Sequence, residues 1–281
     1  MKIGIIGNGF VGKAVNDGFS LKSTNYIIDP LLNNSIEDLK DINLDIIFVC
    51  VPTPMSDDGS IDISIIRDVF SDIKRFCQNN LVVIKSTVTP EALREILEIY
   101  PKTIYNPEFL REKHALDDFI NSPALIFGGE KIYAEKAAKI YSDYAICETE
   151  NYIYTDIYSA SLIKYTINSF LALKVTFFNQ VFQLFSKMEA NISWEDFIAA
   201  ISLDSRIGHS HMDVPGHDGR MGFGGACFPK DTAALVRYSQ AMESDFSLLN
   251  EAIDINNKIR SSYKSLEKRE KDQGISFNKK L

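Results

Sequence analysis

The sequence predicts an α/β fold: a doubly wound parallel sheet, followed by a long helix and a smaller all-helical domain. Three observations carry that reading. Gly7, Gly9 and Gly12 form G-x-G-x-x-G directly after the apolar run Ile3 to Ile6, the pattern of strand, tight turn and helix start. Through the first half, short apolar runs alternate with helical patterns, the rhythm of a parallel sheet wrapped by helices. From 155 to 190 there is neither proline nor glycine, and Leu162, Ile163, Ile167, Phe170, Leu171, Val175, Phe178, Val181 and Phe182 recur at helical spacing, so one long helix leads into a second domain.

Taken in order, the expected strands are 2–6, 25–29, 45–51, 81–86, 103–106 and 124–127, with helices over 65–76 and 91–100 between them. The glycine turn allows close approach to a pyrophosphate, whose charge a helix N-terminus stabilises. Asp29 ends the second strand, seventeen residues after Gly12 (29 − 12 = 17), where an acid binds a ribose 2′-hydroxyl. Together they predict a Rossmann-like domain that takes NAD rather than NADP. Ligands on such sheets bind at the strands' carboxyl ends. Three polar clusters fall there: Val51-Pro52-Thr53-Pro54, Lys85-Ser86-Thr87-Val88 and Asn106-Pro107-Glu108-Phe109-Leu110. Each residue type also forms plain turns, but three such turns at ligand-facing positions favour function. The expected division is a NAD-binding domain over 1–150, a helical central and dimerisation domain over 151–265, and a flexible tail over 266–281.

Two further features carry chemistry. Gly222 to Asp231 read GFGGACFPKD, which sets Cys227 between a glycine-rich approach and a Lys-Asp pair. A thiol attacks only as thiolate, which a neighbouring cation such as Lys230 favours; the alternative is a buried structural cysteine. On the long helix, Lys164 and Asn168 stand four apart and share a face. They are either a solvated stripe or a pair of donors for an oxygen gaining negative charge, where one donor is worth roughly 3–4 kcal/mol.

Composition narrows the classes. The 281 residues carry 30 basic and 38 acidic side chains, a net charge of −8, which argues against the broad basic surface that nucleic acids require. Cys50, Cys77, Cys147 and Cys227 show no paired spacing and no signal peptide precedes the first strand, so reduced thiols in a cytoplasmic compartment are expected. Apolar runs such as 46–51 are too short to cross a bilayer, so no membrane contact is expected. His209 and His211 have only Asp213 beside them, and no metal is expected.

The glycine loop, VPTP with its following acidic-Gly stretch, KSTV, NPEFLRE, the Lys-x-x-x-Asn helix, DSRIG and GFGGACFPKD occur in the order found in the UDP-glucose/GDP-mannose 6-dehydrogenase family, which the chain resembles from residue 1 to about 260. The ending Phe228-Pro229-Lys230-Asp231 is more like the UDP-glucose branch than the N-acetylhexosamine branch; the GDP-mannose branch stays open. The resemblance implies oxidation of a sugar-nucleotide primary alcohol to a carboxylate, with two NAD+ and one water, of use in polysaccharide biosynthesis. It implies Cys227 as nucleophile, Lys164 and Asn168 as oxyanion donors, Asp231, Glu108 and Thr87 as groups that order or deprotonate water, and Gly7, Gly9, Gly12, Asp29, Thr53, Thr87 and Lys230 as the cofactor contacts. Phe109, Leu110, Arg111, Lys164, Asn168, Arg206 and Gly224 are the implied substrate contacts, with Arg206 reaching across a homodimer built on the long helix. Ser161, Gln180 and Lys113 depart from the family pattern. So does the early end, which implies the absence of the family's C-terminal nucleotide-binding domain; between Lys258 and Leu281 eight basic and three acidic residues form the expected tail. Two other functions remain open: a single-hydride dehydrogenase of the hydroxyacid type, and a non-catalytic NAD-binding module paired with another chain.

Overall fold

The computed structural model describes residues 1–278 and divides into two compact units, one of residues 1–53 and 62–164, the other of 54–61 and 165 onward. The first unit runs β1 (Lys2–Ile6), α1 (Phe10–Phe19), β2 (Thr24–Ile28), β3 (Ile46–Val49), α2 (Ser64–Phe76), β4 (Leu81–Ile84), α3 (Pro90–Ile99), β5 (Thr103–Tyr105), α4 (Ala115–Ile120), β6 (Leu125–Gly128), α5 (Lys131–Tyr144) and β7 (Tyr152–Thr155), then the first eight residues of α6 (Ile157–Phe185). The strands form one sheet in the order β2-β1-β3-β4-β5-β6-β7. Neighbours are parallel except at β5 and β6, which meet antiparallel at Tyr105 and Gly128. The six expected strands are present. The seventh, β7, has only four residues, two of them exposed, and so lacks the apolar run that marks a doubly covered strand.

Burial explains the uninterrupted apolar sequences of β3 and β4, every residue of which is buried. One face is covered by α2 and α3, through Ile66, Phe70, Ile73, Leu93 and Ile96. Their i, i+4, i+7 spacing in α2 is an amphipathic stripe. The other face is covered by α1, α4 and α5, where the Tyr141 ring contacts Phe19, Phe48, Phe119 and Phe127. Helix α3 starts where Thr89 accepts the Ala92 N–H at 3.3 Å and Pro90 follows, a cap and a residue suited to a first turn.

The second unit contains the rest of α6, then α7 (Trp194–Ser202), α8 (Phe228–Ala241), α9 (Ser247–Arg260) and α10 (Lys268–Asp272). Tyr165, Ala172, Phe223, Leu235, Leu249 and Ile253 make one core, and Phe178, Trp194, Ile198, Met212 and Val214 another, with Phe182, Phe185 and Phe197 packed around Trp194. The long helix is observed over 157–185 within the expected 155–190.

Two boundaries differ from the sequence reading. The units divide inside α6, after Lys164, and not at 150, because the first turns of α6 bury Ile157 and Ala160 in the sheet's core. Residues 266–278 are also no flexible tail: they form α10, with Glu270, Ile275 and Phe277 buried, while residues 279–281 lie outside the described residues. No helix among the described residues is long and apolar enough to cross a membrane.

Candidate active site

In the first unit the glycine turn has the geometry a dinucleotide needs. Gly7 lies at φ +96°, and a Cβ there would sit 2.6 Å from the Cys50 carbonyl oxygen; at Gly12 it would sit 2.0 Å from the Gly7 oxygen. Nothing lies within 4 Å of a Cβ built at Gly9, which caps the start of α1 with no side chain across it and no acid in the first turn. An anionic group meets an open cradle and the favourable end of a helix dipole there. Asp29 latches this turn to β2: one carboxylate oxygen accepts the Asn8 N–H at 2.7 Å, the other the Leu31 N–H at 2.9 Å. Each oxygen keeps a lone pair for a ribose hydroxyl. These residues fit NAD.

At the carboxyl ends of the next strands, the Thr53 hydroxyl donates to the Thr87 carbonyl at 2.8 Å, joining two of the three polar clusters. Lys164 is buried, and its ammonium donates to the backbone carbonyl of Glu108 and lies 3.3 Å from its carboxylate. The other oxygen of Glu108 accepts the Leu110 N–H at 2.7 Å, and the Phe109 ring lies 4.9 Å from the Lys164 nitrogen. Arg111 is exposed and forks onto Asp118 at 2.7 Å. A network missed in the sequence lies beneath: buried Lys85 donates to Asn106 Oδ1 at 2.7 Å, and the Tyr141 hydroxyl donates to the same oxygen at 2.9 Å. KSTV and NPEFLRE each supply one of these groups, but no spacing links either to Tyr141.

In the second unit Asn168 Nδ2 donates to Asp231 Oδ2 at 2.6 Å, and the Lys230 ammonium meets Asp231 Oδ1 at 2.6 Å. All three are buried. Burial of Lys164 and Asn168 rules out a solvated stripe. Cys227 is the N-cap of α8 and half-buried, whereas Cys50 and Cys77 are buried outright. Lys230 is committed to Asp231, and its nitrogen neutralises a carboxylate that would otherwise be an unpaired buried charge. Gly224 packs against Arg260 and Glu270, residues the sequence reading did not single out. Arg206 is exposed, with its guanidinium 2.6 Å from Asp204. Ser161 donates to the Val88 carbonyl at 2.7 Å, so this departure from the family pattern is a buried structural contact.

The two halves of this chemistry coincide with two family domains. Residues 32–145 match the NAD binding domain, and residues 158–258 the central domain, of the UDP-glucose/GDP-mannose dehydrogenase family. The chain belongs to this family. Among relatives, the UDP-glucose 6-dehydrogenase of Rickettsia felis is 33% identical over 244 residues, covering 84% of this chain and 50% of that protein. TuaD, the UDP-glucose 6-dehydrogenase of Bacillus subtilis, is 29% identical, covering 92% of this chain and 63% of that one. The chain thus spans about half the length of the first of these dehydrogenases. Among solved structures, a UDP-glucose dehydrogenase from Pyrobaculum islandicum superposes with a TM-score of 0.77 at 26% identity, over 92% of this chain and 68% of that one. A 3-hydroxyisobutyrate dehydrogenase of Mycobacterium tuberculosis shares the fold, with a TM-score of 0.70 at 17% identity over 95% of this chain and 96% of that one. The match to the family's NAD binding domain begins downstream of Gly7, Gly9 and Gly12, so the geometry of that turn is independent support for a nucleotide cradle.

Proposed function

We propose that this dehydrogenase-family chain acts in the cytoplasm on a nucleotide sugar, UDP-glucose in preference to GDP-mannose, oxidising its C6 alcohol to the carboxylate through Cys227. The observation that carries the reading is the pairing, within one unit, of a half-buried thiol at the start of α8 with a buried Asn168–Asp231–Lys230 cluster. A helix start favours negative charge, and a buried ion pair contributes little stability over an apolar pair of the same volume, which makes this cluster a candidate for function.

Held at Gly7, Gly9, Gly12 and Asp29, NAD+ would supply the hydride acceptor for each of two successive oxidations. Asp231 or Lys164 holds the water that accepts the alcohol proton in the first, with Thr87 ordering water. The Cys227 sulfur then adds to the aldehyde carbon, forming a C–S bond and a thiohemiacetal oxygen that Lys164 and Asn168 stabilise. Loss of hydride from that carbon leaves a thioester. Water, deprotonated with help from Glu108 or Asp231, breaks the C–S bond, releasing the carboxylate and returning the thiol. Two NAD+ and one water are consumed per alcohol.

Assembly as a homodimer on α6 belongs to the same reading: Phe170, Phe177 and Leu184, seven residues apart, leave one apolar face of the helix exposed.

The alternative reading is a single hydride transfer of the hydroxyacid-dehydrogenase type, and stoichiometry separates the two. Cys227→Ser is expected to abolish acid formation, a loss of at least about a thousandfold in kcat, with UDP-glucose, GDP-mannose and UDP-N-acetylmannosamine each tried. Two NADH per sugar in the wild type support the four-electron reaction; one NADH, unaffected by Cys227→Ser, overturns it.

A further inference from the structure

We propose that Glu270 is a positioning residue for the Cys227 loop, acting with Arg260 as a buried clamp on Gly224 and Gly225. It rests on the reading of Cys227 as nucleophile for its consequence in turnover, though not for its test. The loop from Gly222 to Cys227 is rich in glycine, with Gly222 at φ +75° and Gly225 at φ +76°, so its backbone has little intrinsic rigidity. It is fixed at two places. Near its start, Asn179 accepts the Gly222 N–H at 2.9 Å, and Asn256 both accepts the Phe223 N–H at 2.7 Å and donates to the Phe223 carbonyl at 3.0 Å. Nearer the thiol, Glu270 Oε1 accepts the Gly225 N–H at 3.1 Å and the Arg260 Nη2 at 2.8 Å.

The clamp leaves no slack. A Cβ at Gly224 would lie 2.0 Å from Arg260 Nη2 and 2.6 Å from Glu270 Oε1. The second arm of Arg260 holds Asp218 at 2.7 Å, and Glu270 Oε2 accepts the Glu267 N–H at 2.8 Å. Neither side chain exposes any surface. Only Ala226 separates Gly225 from Cys227, so the carboxylate of Glu270 sets the approach of the reactive sulfur. The segment bearing Glu270 is itself anchored: the Gln273 carbonyl accepts the Met55 N–H at 2.9 Å, Gly274 sits at φ +67° against the Met55 carbonyl, and Ile275 and Phe277 are buried. A pair that merely stapled α10 to α9 would not need Gly225 as a third partner, nor a glycine at 224 to admit it.

The test uses the full chain, as wild type, Glu270→Gln and Glu270→Ala, with Cys227→Ser to assign the thiol. Amide hydrogen exchange across 222–227 is measured alongside the rate of Cys227 alkylation by iodoacetamide as a function of pH. Removing one partner of a buried pair is expected to speed loop exchange about tenfold or more while leaving α6 unchanged, and to displace the pH profile of alkylation. Glu270→Gln keeps the side chain's shape and carries the test if Glu270→Ala does not fold. Loop exchange and alkylation within about twofold of wild type in a folded variant overturn the proposal. So does uniform acceleration from α6 through α9, or loss of fold in both variants, since each makes Glu270 a general stabiliser. A Cys227→Ser enzyme that still forms acid would end the nucleophile reading and leave this loop measurement standing.

Discussion

Burial sets the behaviour of Lys85, whose ammonium has Asn106 Oδ1 for its acceptor inside the sheet unit. Desolvation pushes it down from an ordinary 10.5 to about 8, against a smaller opposing pull from the charges of Cys50 and Glu108. Between those values the unfolded chain binds the proton and the native one sheds it, so native stability rises with pH; the penalty is full below about pH 8 and gone above about 10.5. Cys50 works the other way above about pH 9, because burial raises its thiol to about 12. Cys147, raised to about 11, and Cys77, also raised by burial, oppose Lys85 in the same way as the unfolded thiols ionise, so the gain of about 1 kcal/mol that Lys85 contributes between about pH 8 and 9 shows as a difference between the wild type and a variant lacking the ammonium. Across that range the urea midpoint of the wild type should rise relative to that of Lys85→Met; equal slopes would refute the assignment. Lys85 was legible as part of a polar cluster at a strand end. Its burial was not, because that depends on Tyr141 and Asn106 arriving from other elements.

The glycine turn joining β1 to α1 is the element whose geometry leaves least room for change. An added methyl at Gly12 meets backbone, the Gly7 carbonyl oxygen at 2.0 Å, which no side-chain rotation relieves. Gly12→Ala should therefore weaken NAD+ binding by at least about tenfold by calorimetric titration, since the close approach of helix to turn is what aims the helix end at a phosphate. An unchanged affinity would place the dinucleotide elsewhere. This element was readable from spacing alone because the turn is local in sequence. Strand β7 and helix α10 were not: Tyr152–Thr155 and Lys268–Asp272 are four and five residues long, too short to show a period. The short α10 is held by a capping box at Glu267 and Glu270 and by the ion pair to Arg260, partners that pattern reading does not weigh.

For the whole molecule, the exposed face of α6 in the second unit bears on assembly. Phe170 and Phe177 are 64% and 60% exposed, more apolar surface on one helix than an isolated chain usually leaves to water. Sedimentation velocity should give a dimer for the wild type and a monomer for Phe177→Asp, because a charge buried in an apolar interface costs more than such a contact returns. A wild-type monomer would remove the homodimer from the proposed function. By itself the sequence determined the alternating α/β architecture, the glycine turn with Asp29 and the long helix, since each is written in short-range spacing. Only the tertiary structure decided which buried polar groups meet: Lys164 with Glu108, Asn168 and Lys230 with Asp231, Arg260 with Glu270. Most of those pairs join groups ten to sixty-three residues apart, and a buried charge is tolerated only where the folded chain brings its partner within hydrogen-bonding reach.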